Sequence, residues 1–267
     1  MTRNFSRREF CTTAAAAGAS ALTGCKLGPT TQIVTGDGRI TARPGIAPTT
    51  TMTPGIYDLV VGGSDQFCWM IVPTAYEPSR AWPLALFFRG AITPARNYMD
   101  NFQPIADELG LIILAPEATS RTWDLILGGF GPDVAFINRA LHTAFRTVHV
   151  DPNRIFTSGF SDGASYSLSL GLTNGDFFTR IGAYSPGFIQ VAAQRGQPSF
   201  FITHGNMDAV LPVESSRYIV EQLQSANYEV EYREFDGPHA VSLSLAKESY
   251  KWMIDSTAPS TPKRGTP

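Results

Sequence analysis

The chain has 267 residues, 43% of them apolar and 16% charged, enough to bury one full-sized core as a single domain. Its net charge of −2, with no Lys/Arg stripe beyond the N-terminus, argues against a nucleic-acid partner, because phosphate-backbone binding needs a basic face that displaces counterions. The cysteines, Cys11, Cys25 and Cys68, lie far apart and form neither a CxxC pair nor a Cys/His cluster, which argues against a metal site.

In chain order, the first feature is an address. Ser6-Arg7-Arg8-Glu9-Phe10, the Ala-rich run 12–22 and Leu22-Thr23-Gly24-Cys25 read as a twin-arginine export signal over residues 1–24. The signal ends in a lipoprotein box, cut before Cys25, whose sulfur would carry lipid. The apolar run is too short to span hydrocarbon, so the expected membrane partner is reached through a lipid anchor in the bacterial cell envelope. Lipidation of Cys25 leaves Cys68 as the single thiol of the exported chain and no intramolecular disulfide. Residues 25–54, rich in Thr, Gly and Pro and without hydrophobic periodicity, read as a flexible tether, and 256–267 as a disordered tail.

The folded part is expected over 55–255. Runs 56–61 and 66–72 are β-rich and separated by Gly62-Gly63-Ser64-Asp65, a hairpin signal. The apolar run 84–88 reads as a strand buried on both faces, followed by a helix over 95–109 and a second buried strand at 111–115. Val134, Phe136, Ile137, Leu141, Phe145 and Val148 recur at helical spacing over 133–148. Strands are then expected at 155–159, 180–184, 199–203 and 228–235, with helices after the first, at 213–226 and at 240–254. Short apolar strands alternating with helices predict an α/β class domain, its mostly parallel sheet covered on both faces and its ligands at the carboxyl ends of the strands.

The run Ile155-Phe156-Thr157-Ser158-Gly159-Phe160-Ser161-Asp162-Gly163 passes from strand through Gly-x-Ser-x-Gly into a helix. So tight a turn holds the serine in strained φ/ψ and leaves no room for side chains at the flanking glycines. It presents a hydroxyl at the sheet's carboxyl end, beside the Asp162 N–H at a helix N-terminus.

A neutral serine needs a base within hydrogen-bond reach and a carboxylate to orient that base. Of the four histidines, His142 lies within an amphipathic helix and His149 at its end, and His204 reads as a structural residue pinning a strand end. His239, in the Asp236-Gly237-Pro238-His239 loop, is the expected base. Asp208 is the expected acid, in the chain order Ser, Asp, His. Glu214 reads instead as a helix-start carboxylate and Asp236 as a turn residue. The expected oxyanion hole combines the backbone N–H of Asp162 with that of Ala91 in the Arg89-Gly90-Ala91 loop.

Phe88-Arg89-Gly90, Gly159-Phe160-Ser161-Asp162-Gly163, His204-Gly205-Asn206-Met207-Asp208 and Gly237-Pro238-His239 together resemble the phospholipase/carboxylesterase and polyhydroxybutyrate-depolymerase-like branch of the α/β hydrolases, over roughly 56–254. The resemblance implies an α/β-hydrolase fold and serine hydrolysis of carboxylic esters through an acyl-enzyme. In it Ser161 is the nucleophile, His239 the base and then the acid, and Asp208 the orienting carboxylate. No cofactor is implied, and the partner is a small-molecule ester with a short-chain or aromatic acyl group. A peptidase of the same fold and a non-catalytic envelope binding lipoprotein are the alternative readings.

Arg89 stands where the family usually has histidine. Its permanent charge predicts either an ion pair with a nearby carboxylate such as Asp162 or a preference for anionic substrates. Trp123 and Phe130, in the loop after the fourth strand, are expected to line an acyl or aromatic pocket. No long insertion separates the sixth and seventh strands, so no large lid is expected.

Overall fold

In the computed structural model, the described residues are 36–45, 48, 52–63, 65–190 and 193–255. The expected export signal, Cys25 and the expected tail at 256–267 lie outside them.

The expected hairpin forms from β1 (Gly55–Asp58) and β2 (Cys68–Val72), antiparallel with Tyr57 opposite Met70. β2 also pairs antiparallel with β4 (Ile112–Pro116), and every later pairing in the sheet is parallel. With β3 (Trp82–Phe88), β5 (Val150–Gly159), β6 (Arg180–Tyr184), β7 (Ser199–Gly205) and β8 (Val230–Phe235), the sheet has eight strands in the order 1-2-4-3-5-6-7-8.

The continuous apolar run of β3 is buried along its whole length because both faces are covered. Leu84, Leu86 and Phe88 pack under α3 (Pro132–Thr147) and α4 (Asp162–Thr173), while Ala85 and Phe87 pack under α1 (Arg96–Leu109) and α6 (Leu243–Asp255). α5 (Val213–Ser225) extends the α3/α4 layer over β6 and β7 through Ile219 and Leu223. The β6–β7 connection spans only 185–198, too short for a lid domain.

Two local features depart from the expected pattern. β5 begins at Val150 rather than 155, since Trp82 pairs with Val150 and Leu84 with Ile155, so the turn-like Asp151-Pro152-Asn153-Arg154 is accommodated as an irregularity in the ladder. A short helix, α2 (Asp124–Leu127), occupies the loop after β4.

The described part of the expected tether is docked on the domain. Ile40 and Ala42 are fully buried. Asn138 Oδ1 accepts from the backbone N–H groups of Thr41 and Ala42, Asn174 Oδ1 from that of Ile40, and Arg39 forms a two-pronged ion pair with Asp176. Composition misses this because side chains distant in sequence meet the strap's backbone donors, and no periodicity is needed.

Candidate active site

Ser161 sits at the turn between β5 and α4 at φ 56°, ψ −120°, a conformation costly for any residue but glycine. The flanking glycines are sterically required. A Cβ on Gly159 would fall 2.1 Å from the Gly163 carbonyl oxygen, and one on Gly163 would fall 2.1 Å from that of Phe88. The Ser161 N–H donates to Tyr184 O of β6 at 2.9 Å, which ties the turn to the neighbouring strand.

His239 follows β8 and Asp208 follows β7, and the parallel pairing of these strands brings their loops together. The approach is close: a Cβ on Gly205 would meet the carbonyl oxygens of Gly237 and Pro238 at 2.4 and 2.5 Å. Met207 N–H donates to Gly237 O, and Asn206 Nδ2 to Asp236 Oδ1, so Asp236 acts in joining the two loops. His239 Nε2 lies 2.8 Å from Ser161 Oγ and its Nδ1 2.5 Å from Asp208 Oδ2. The ring also packs against Phe160 at 4.7 Å between centroids.

Asp208 has no exposed side-chain surface. Burial alone would raise its pKa, but the Leu211 N–H, the His239 ring and the Val210 N–H favour the carboxylate, and the net shift is downward. Asp208 thus remains ionised on mild acidification and is set to hold Nδ1 of His239 protonated, leaving Nε2 for the serine hydroxyl.

The loop bearing Ala91 lies against the serine, since a Cβ on Gly90 would fall 3.3 Å from Ser161 Cβ and 3.2 Å from the Phe160 ring. Arg89 is buried and does not pair with Asp162. Its Nε donates to Glu117 at 2.5 Å, and its terminal nitrogens donate to the carbonyls of Gly90, Arg121 and Ser120. Glu117 also accepts from the Ala95 N–H, while Asp162 accepts from Thr122 Oγ1. The guanidinium is committed to loop carbonyls and Glu117, leaving an anionic substrate no open face of it. Glu117 is a site residue that the sequence reading missed. Its signal lay in strand offset: Leu86 pairs with Leu114, and the same offset carried three residues onward sets Arg89 beside Glu117.

Trp123 and Phe130 do not line a pocket. Trp123 is fully buried, stacks on Tyr166 at 4.6 Å and donates from Nε1 to Arg89 O. Phe130 meets the edge of Tyr166 and lies beneath Gly38 of the N-terminal strap. Both rings turn inward because buried Tyr166 offers them an aromatic surface, and the strap covers Phe130 from the other side.

The same loop is braced by a carboxylate pair. Asp133 accepts from the N–H groups of Thr119 and Asp124, and Asp124 Oδ2 from those of Gly131 and Asp133. Asp124 Oδ1 is buried without a partner. Burial, and then the neighbouring Asp133 charge, raise the Asp124 pKa to about 6. A carboxyl raised in the folded state contributes stability at low pH that is lost as pH rises through about 6. Asp124→Asn should therefore raise Tm at pH 8 by about 2–4 °C, corresponding to about 1 kcal/mol, and by less at pH 5. Thermal melts at both pH values measure the difference, and an equal change at both would remove the ionised pair as its cause.

The profile of the Phospholipase/Carboxylesterase family matches residues 134–250, which include Ser161, Asp208 and His239. Feruloyl esterase D of Neurospora crassa is 26% identical over 54% of this chain and 49% of its own length. Poly(3-hydroxybutyrate) depolymerase of Ralstonia pickettii is 29% identical over 47% of this chain and 30% of its own, and feruloyl esterase C of Emericella nidulans 26% identical over 69% and 68%. The chain thus spans half or less of the first two of these relatives. Among solved structures, a ferulic acid esterase from Anaeromyces mucronatus superposes with a TM-score of 0.58 at 20% identity, covering 76% of this chain and 88% of that one. S-formylglutathione hydrolase from Staphylococcus aureus superposes at 0.61 with 15% identity, covering 79% and 100%. With its strand order, serine turn and superposition on solved esterases, the chain has the α/β-hydrolase fold, and its segment 134–250 is similar to the phospholipase/carboxylesterase family.

Proposed function

We propose that the protein is a serine esterase that cleaves carboxylic esters through an acyl-enzyme. The observation that carries this reading is the continuous hydrogen-bonded line Ser161 Oγ–His239–Asp208. In the proposed reaction His239 Nε2 takes the Ser161 proton as Oγ attacks the ester carbonyl, and Asp208 stabilises the imidazolium. The N–H groups of Ala91 and Asp162 receive the developing oxyanion. Collapse releases the alcohol with the proton from His239. Water, activated by the same ring, then frees the acid and restores Ser161.

The relatives favour an aromatic acyl group, because three of the curated matches are described as feruloyl esterases or a probable one. The test is hydrolysis of a p-nitrophenyl ester series from acetate to dodecanoate alongside methyl ferulate, with Ser161→Ala as control. Serine-dependent turnover is the expected result, with methyl ferulate among the better substrates. Turnover that persists in the mutant would reject the mechanism, and serine-dependent turnover confined to the aliphatic esters would reject the aromatic preference.

We also propose that the chain reaches the cell envelope through its twin-arginine signal and is held there by lipid on Cys25. The Arg7-Arg8 pair and the Leu22-Thr23-Gly24-Cys25 box support this. Mass spectrometry of the N-terminal peptide should find acyl chains on Cys25, and Cys25→Ala should move the protein from the membrane to the soluble fraction. A membrane-bound but unacylated Cys25 chain would rule out the anchor.

A further inference from the structure

His204, which the chain pattern marks as a structural histidine, lies at the end of β7 with its side chain fully buried. Its Nε2 is 3.0 Å from Leu211 O and 3.1 Å from Asp208 Oδ2, the same carboxylate oxygen that meets His239. Its Nδ1 is 2.6 Å from Ser216 Oγ of α5, a residue that is also fully buried.

The proton on Nε2 follows from these partners. A carbonyl and a carboxylate both accept, so Nε2 carries hydrogen whatever the state of Nδ1. Asp208 then receives the N–H groups of Val210 and Leu211 on Oδ1 and that of His239 on Oδ2, while the His204 Nε2–H, bonded to Leu211 O, lies 3.1 Å from Oδ2 as a close electrostatic contact. With a neutral ring the Ser216 hydroxyl donates to Nδ1, which makes the Nε2–H a stronger donor.

We propose that His204, polarised by Ser216, is a positioning residue that shares the negative charge of Asp208 and so limits how strongly Asp208 holds the His239 imidazolium. A carboxylate that loses a neighbouring N–H dipole leaves more of its charge for the groups that remain, and the histidine it faces keeps its proton to higher pH. The buried pair His204–Ser216 would thus set the pH below which Ser161 loses its base. The other charges near His204 are accounted for. Glu234, its register neighbour on β8, is held by Arg217 of α5, which also meets Glu214, and Asp236 is bonded to Asn206.

This inference rests on the esterase reading, and its test has one arm independent of turnover. His204→Phe removes both nitrogens while keeping a ring. The acid limb of its kcat/KM–pH profile should move up by about 0.5–1 pH unit, a loss of about 3–10-fold at pH values below the limb. His204→Gln, which can return an N–H near the Nε2 position, should bring the limb back toward wild type. Ser216→Ala should shift it in the same direction by less, and gives the answer if His204→Phe does not fold. The turnover-independent arm is an NMR titration of His239 in protein carrying 15N-labelled histidine, expected to shift by the same amount. A role confined to packing predicts lower Tm in the variants with the limb and the titration unmoved, and that result overturns the proposal. A shifted titration in a protein without esterase activity would overturn the esterase reading alone.

Discussion

Ser161→Ala should lower kcat for any hydrolysed ester by about 10⁴–10⁶-fold, while leaving KM and Tm close to wild type. Alanine keeps the Cβ and the same backbone strain, so the mutant loses the hydroxyl and little else. The strain itself makes a companion prediction. At φ 56°, ψ −120° a non-glycine residue is held at a cost of order 1–3 kcal/mol, which glycine largely avoids. Ser161→Gly should therefore be equally inactive yet more stable, by about 1 kcal/mol in chemical denaturation. A serine kept where glycine would be more stable is expected at a site that uses its hydroxyl. Activity within tenfold of wild type in either mutant would remove Ser161 as nucleophile.

The second large effect is expected at Arg89. Arg89→Ala should cost about 3 kcal/mol, a Tm fall on the order of 6–12 °C, and a larger loss in kcat than in KM. The stability cost arises because Glu117 is left with its charge in a largely closed environment, together with loop carbonyls that lose their donors. The kcat loss arises because Glu117 and Arg89 fix both ends of the segment carrying Ala91: one accepts from the Ala95 N–H, the other donates to Gly90 O. Under the proposed oxyanion role of Ala91, loosening its N–H would penalise the transition state more than the bound ester.

Arg89→His should recover part of the loss, since a ring nitrogen can still reach toward Glu117 but not toward all three carbonyls. The double substitution Arg89→Met with Glu117→Leu should recover more stability than activity, because an apolar pair can replace the ion pair's burial without its hydrogen bonds to the loop. Unchanged stability in Arg89→Ala, with weakened selection for anionic esters, would return Arg89 to substrate recognition.

Most of the secondary structure was legible because it is written in short-range pattern: continuous apolar runs for β3 and β4, and helical spacing for α3. The serine turn was legible for a related reason. Its two glycines answer to clashes with atoms of the turn itself and of the strand end beside it. The chain order Ser, Asp, His, with the Gly-Pro loop before His239, singled out Ser161, Asp208 and His239, which the structure brings into one hydrogen-bonded line, each just beyond the end of a strand.

What sequence could not supply depends on which distant segments lie side by side. Glu117 meets Arg89 because β4 pairs with β3, a choice of neighbour that leaves no local mark. Phe130 faces inward beneath the strap from far earlier in the chain and Trp123 against Tyr166 of α4, and their aromatic character alone serves a pocket wall or a packed loop equally well. His204 meets Asp208 only through the turn at the end of β7, with Ser216 supplied by the next helix. Propensity and periodicity act over a turn of helix or a few residues of strand. The side of a loop that faces solvent, and the partner of a buried charge, are set by long-range packing and strand order.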